Sequence, residues 1–147
     1  MTQEEHDIRF MKMALDEATT AADQGEIPVG AVVVCKGTVI ARAHNLTETL
    51  TDVTAHAEMQ AITAAASYIG GKYLDQCTLY VTLEPCTMCA GAIGGSQLQR
   101  LVYGASDPKR GYTIHAPGAL HPKTQVTSGI LSDECSQIVQ DFFKNKR

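Results

Sequence analysis

The sequence predicts an α/β domain in three layers, with helices on both faces of a mixed five-stranded sheet. Three observations predict it. Residues 28–42 read as a β-hairpin, and residues 78–104 as strand, helix and strand joined by a right-handed parallel crossover. Amphipathic helical patterns occupy the two ends, residues 4–24 and 132–146.

In the first helix Ile8, Met11, Leu15, Ala18 and Ala22 recur at spacings of three and four, and Gly25 is its stop signal. Two strands follow, Pro28 to Cys35 and Thr38 to Arg42, around a Lys36-Gly37 turn. The polar connection from His44 to Thr54, rich in Asn and Thr, is predicted as a surface loop that Asn45 opens. Ala55 to Ile69 is an alanine-rich helix with Thr54 as its N-cap and Gly70-Gly71 at its end, and its small side chains permit close packing on the sheet. From Thr78 to Leu83 apolar residues fall on both sides, the pattern of a buried central strand. That strand leads into a helix over 86–96 with Pro85 at its first position, and Arg100 to Gly104 forms the next strand. Residues 105–124 hold three prolines and two glycines and are predicted as mostly loop. A short strand over 125–127 precedes a last helix capped by Ser132, whose apolar face is Cys135, Ile138, Val139, Phe142 and Phe143.

At 147 residues the chain is expected to be one domain, 1–147, with a core of its own. No apolar run approaches the roughly 18 residues of a membrane span and no basic-then-apolar leader opens the chain, so a soluble cytoplasmic protein is expected. Five cysteines cannot all pair, which argues against a secreted disulfide framework; Cys35, Cys77 and Cys135 are expected as reduced, buried thiols. The net charge of −4 argues against broad nonspecific nucleic-acid binding. The charge is uneven, however. Residues 1–99 carry five Lys/Arg against twelve Asp/Glu, and residues 100–147 carry seven against four, so the C-terminal third offers a basic face to phosphate or merely a solvated surface.

Pro85-Cys86-Thr87-Met88-Cys89 places two thiols three residues apart at the start of a helix, facing one side. The partial positive charge of a helix N-terminus favours thiolates, the metal-binding form of cysteine. His56, with Cys86 and Cys89, makes three protein ligands for tetrahedral zinc and leaves a fourth position for water, as a catalytic site requires. Such a zinc lowers the pKa of its water to roughly 7. Glu58, two residues beyond the histidine, is then placed to move protons instead of binding metal. Each residue alone has a plainer reading: a structural histidine, a redox cysteine pair, a carboxylate in the first turn of a helix. A redox C-x-x-C needs no H-x-E, and a closed structural zinc needs a fourth Cys or His, so together they point to catalytic zinc.

H-x-E followed by P-C-x-x-C resembles the signature of the zinc-dependent nucleobase deaminases. Leu83 to Ala92, Asn45, Thr54 to Glu58, and Gly129 to Cys135 with Phe142-Phe143 are similar to the bacterial tRNA-specific adenosine deaminases, over nearly the whole chain from Glu26 to Phe143. The resemblance implies a cytidine-deaminase-like fold, one Zn2+ per chain, a homodimer, and adenosine-to-inosine conversion at the wobble position of a tRNA anticodon loop. In that reaction zinc hydroxide attacks adenine C6 while Glu58 shuttles protons. It further implies that Asn45 hydrogen-bonds the target base, that Val29 and Ala57 line its pocket, that Asp107 and Lys109 meet the RNA backbone, and that Phe143 reaches the flanking nucleotides. Glu84, just before Pro85, either orients a backbone group at the pocket or caps the strand end. Two other readings share part of the pattern: a free nucleobase deaminase acting on guanine or cytosine, and a zinc-containing RNA-binding protein without turnover.

Overall fold

The computed structural model describes residues 1–146. Five strands form one sheet in the order β2-β1-β3-β4-β5. Strands β1 (Gly30–Cys35) and β2 (Thr38–His44) make the predicted hairpin, and β1 also pairs antiparallel with β3 (Cys77–Leu83). Strands β3, β4 (Arg100–Ala105) and β5 (Gln125–Ser128) run parallel, so the sheet is mixed, as expected.

The hairpin turn places both Lys36 (φ 52°) and Gly37 (φ 81°) in the left-handed region, the backbone that matches the twist of the strands it joins. Alternation then sorts the side chains. Ala31, Val33, Leu79 and Val81 join a core with Ala57, Ala61 and Ala65 of α2 (Ala57–Ile69) and with Ala90 and Ile93 of α3 (Thr87–Gly95). Val32, Val34, Tyr80 and Val102 face the other way, against Phe10, Met11 and Ala14 of α1 (Gln3–Asp23) and Cys135 of α5 (Ser132–Asn145). Helix α1 lies so close to β1 that a Cβ on Gly30 would collide with the Ala14 carbonyl. Among the described residues no helix is long and apolar enough to cross a membrane.

The structure corrects the sequence reading chiefly at helix starts. Thr54 is not an N-cap; its N–H and hydroxyl both go to Asp52 Oδ1 at 2.8 Å, closing a turn, and His56 caps α2. Pro85 lies outside α3, whose N-cap is Cys86, and Leu131 at φ 53°, not Ser132, caps α5. Within the predicted loop 105–124 there is a one-turn helix, α4 (Tyr112–His115). Of the three cysteines expected as buried thiols, Cys77 and Cys135 are buried and Cys35 is half-buried; all three are free.

Candidate active site

Both helices on one side of the sheet begin at a predicted metal ligand. His56 is the N-cap of α2 and Cys86 the N-cap of α3, and neither spends its side chain on the helix end. An N-cap normally turns its side chain back onto a free N–H. Here the imidazole and the thiol are released to face each other, with the positive ends of two helix dipoles behind them. Cys89, one turn into α3, completes the group.

His56 Nδ1 lies 3.4 Å from Cys89 Sγ and 3.7 Å from Cys86 Sγ, and all three donor atoms fall within 4.8 Å of one another. Tetrahedral zinc, with bonds of about 2.3 Å to sulfur and 2.0–2.1 Å to nitrogen, would set nitrogen and sulfur roughly 3.6 Å apart. The donor set therefore fits a metal in both chemistry and spacing. Hydrogen bonds from Cys89 and then His56 hold Cys86 down to about 3, and that thiolate, together with burial, pushes Cys89 up. A metal bound here would take the place of the thiol proton. The hydrogen bond to Cys86, opposed by burial, raises His56.

Glu58 is buried in the first turn of α2. Burial pushes it up to about 7, against the opposing pull of its own backbone N–H and of His56. A carboxyl poised near neutrality takes up and releases protons with little bias, the property sought in a general acid–base.

His56 and Cys86 line a cleft of about 1010 Å³, with Cys89 and Glu58 buried behind them. Asn45, Thr47 and Glu48 line one side, Lys109, Arg110 and His115 the other, with Met88 of α3 beside Cys86. Asn45 is nearly buried, donating from Nδ2 to the Ile27 carbonyl and accepting the Thr47 N–H on Oδ1, so its amide is fixed in orientation. Lys109 is exposed, while the Asp107 carboxylate accepts the N–H groups of Lys109 and Arg110 and shapes the turn that presents them. The Glu84 oxygens accept from the backbone of Asp107 and from Thr113, and do not line the cleft. Val29 and Ala57 belong to the core and likewise do not line it. Phe143, 46% exposed near the end of α5, stands apart from the cleft. His115 and Met88 enter the site without having been singled out.

A mixed sheet with two helices delivering a His/Cys/Cys group and a buried glutamate defines a deaminase-type hydrolase domain. The chain belongs to the MafB19-like deaminase family, whose model matches residues 4–147. It is 46% identical to the tRNA-specific adenosine deaminase of Agrobacterium fabrum, with 94% of each chain covered. It is 45% identical to that of Bacillus subtilis, over 100% of this chain and 92% of the relative. Among solved structures, one from a study of A-to-I editing by tRNA:A34 deaminases superposes with a TM-score of 0.82 at 46% identity, covering 88% of this chain and 98% of that one. A guanine deaminase from Bacillus subtilis superposes with a TM-score of 0.65 at 36% identity, covering 82% and 72%. The fold is thus the cytidine-deaminase-like one, as the sequence implied.

Proposed function

We propose that this enzyme hydrolyses adenosine to inosine, releasing ammonia, at the wobble position of a tRNA; relatives at 40–46% identity are tRNA-specific adenosine deaminases, and the structural neighbour at 46% identity comes from a study of A-to-I editing at the wobble position. The observation that carries the reading is a buried carboxyl, Glu58, beside a three-donor metal group of which His56 and Cys86 line a cleft with a basic wall. His56 through Nδ1, and Cys86 and Cys89 through Sγ, would hold zinc, the metal that suits four-coordinate thiolate and imidazole donors. When bound it supplies a water that ionises near neutral pH. Glu58 moves protons from that water to adenine N1 and then to the departing amine, charged before each uptake and neutral after it. Asn45, held by Ile27 and Thr47, keeps a free amide hydrogen to orient the base. Lys109 and Arg110 meet phosphates of the splayed anticodon loop, and Asp107 and Glu84 act on the RNA through the turn they shape.

In this reading Val29 and Ala57 set the base pocket from beneath, and Phe143 meets nucleotides beyond the cleft. We place the reaction in the cytoplasm, with one zinc per chain of a homodimer.

The test is to incubate the protein separately with an anticodon stem-loop, guanine, cytosine and cytidine and to measure inosine and ammonia. Inosine in the stem-loop is expected. Faster turnover of guanine than of any tRNA would favour free-base deamination, the second reading that the guanine deaminase neighbour keeps open.

A further inference from the structure

Two buried carboxylates outside the chemistry hold the two walls of the cleft in the same manner. Glu26, fully buried, accepts the Glu48 N–H (3.0 Å), the Thr49 N–H (2.7 Å) and the Thr49 hydroxyl (2.7 Å). Glu84 accepts the Asp107 N–H (3.0 Å), the Thr113 N–H (3.1 Å) and the Thr113 hydroxyl (2.7 Å). Each is a carboxylate bound to two backbone N–H groups and a threonine hydroxyl of a loop, and Glu26 accepts the Thr47 hydroxyl (3.5 Å) as well. Among the described residues the Lys or Arg ion pairs are Arg42 with Glu17 and Arg100 with Asp7, and His44 hydrogen-bonds Glu17, so neither Glu26 nor Glu84 has a cationic partner.

The loops held this way are the ones that line the cleft. The first carries Thr47 and Glu48, and its Thr47 N–H is what fixes the Asn45 amide. The second carries Lys109 and Arg110. Glu84 also lies two residues before Cys86, so the strand end that delivers a metal ligand delivers the anchor of the basic wall as well. A bridge between Cys86 and Gly111 and the Tyr112 N–H on the Pro85 carbonyl (2.9 Å) tie the same two segments together. Gly111 admits no side chain, because a Cβ there would collide with the Glu84 carboxylate.

We propose that Glu26 and Glu84 are positioning residues that hold the two RNA-facing walls at a set distance from the metal group, so that they govern capture of the anticodon loop and not the chemical step. This rests on the tRNA reading above. Glutamine cannot replace either one, since its amide would turn an N–H toward donors already present. Glu84→Gln and Glu26→Gln are compared by amide hydrogen exchange, metal content and kinetics on an anticodon stem-loop. Exchange should quicken locally, at 107 and 113 in the first variant and at 48 and 49 in the second, with metal content unchanged. KM should rise on the order of tenfold with kcat within about twofold, the loss of a charged hydrogen bond being felt in binding. Asp7→Asn serves as the control for a general loss of stability, and its KM should not move. Should a glutamine variant fail to fold, Thr113→Val and Thr49→Val remove only one donor at the loop end. Thr113→Val should add little to the KM of Glu84→Gln, because both break one anchor. Uniformly faster exchange, or a KM shared with the Asp7→Asn control, overturns the proposal. Absence of turnover on tRNA in the unaltered protein would instead refute the proposed substrate, and the exchange pattern would still decide whether each carboxylate holds its wall.

Discussion

Asp7 and Glu58 sit on opposite faces of the sheet, 2% and 4% exposed, and their surroundings drive them in opposite directions. Burial raises Asp7, but Arg100 grips it with two hydrogen bonds (2.7 and 2.6 Å), Tyr80 donates at 2.8 Å and Gln3 at 3.1 Å, and the carboxyl ends below its ordinary value. Glu58 has no guanidinium, only its own N–H and the thiol and imidazole of the metal group, and burial carries it to about 7. Depth alone therefore does not separate a structural acid from a chemical one. The donor set does: a carboxylate held by four donors is part of the scaffold, and one buried with fewer stays exchangeable with a proton. Glu26 falls with Asp7, since hydrogen bonds from Glu48, Thr49 and Thr47 outweigh its burial and lower it.

The comparison is most severely tested by Cys86→Ala, which leaves two protein ligands. It should lose metal and all measurable turnover, and chelation of the unaltered protein should lower its thermal midpoint, because a metal bound only to the folded state stabilises it. Elemental analysis and a melting scan check both; full metal occupancy in the variant would remove Cys86 from the ligand set. Next comes Glu58→Ala, expected to cost about 10² to 10⁴-fold in kcat while metal content and melting stay close to normal. Wild-type turnover in that variant would reduce Glu58 to a carboxylate at a helix start. Asp7→Ala should show the reverse pattern. Stranding the Arg100 guanidinium, itself 14% exposed, costs about 3–5 kcal/mol of stability, with kcat per folded molecule unchanged. Chemical unfolding alongside kinetics measures the two halves.

Much of the site was legible because its residues cluster in sequence: H-x-E spans three positions and C-x-x-C four, and each falls where one element passes into the next. The sheet was legible too, since 30–34 and 78–83 are short, mostly apolar runs, as strands covered on both faces require, and a Lys36-Gly37 turn marks the hairpin. What could not be read were partners far apart. Asp7 and Arg100 are separated by 93 positions, and Glu84 and Thr113 by 29. Helix caps failed for a different cause. Thr54 is a strong N-cap by residue type, yet Asp52 claims both of its donors, and the cap passes to a histidine whose side chain serves the site. Local preference gives way where an N-cap has another task.

The smallest expected effect, and the finest test of the comparison, lies in acid. Asp7 has a folded-state pKa below its ordinary 3.8, so the folded protein binds fewer protons there than the unfolded chain as pH falls. Its ion pair with Arg100 therefore contributes fully above about pH 3.8 and is lost as pH drops through the lower folded value. Asp7→Asn cannot titrate. The gap in unfolding free energy between the two proteins should stay constant from neutrality to about pH 5 and close only below 3.8. A difference measurement of this kind cancels the other carboxylates, Glu26 included, which titrate alike in both proteins. A gap that instead narrowed between pH 5 and 7 would place the titrating group among the poorly partnered acids, and Asp7 would then share the state of Glu58 instead of contrasting with it.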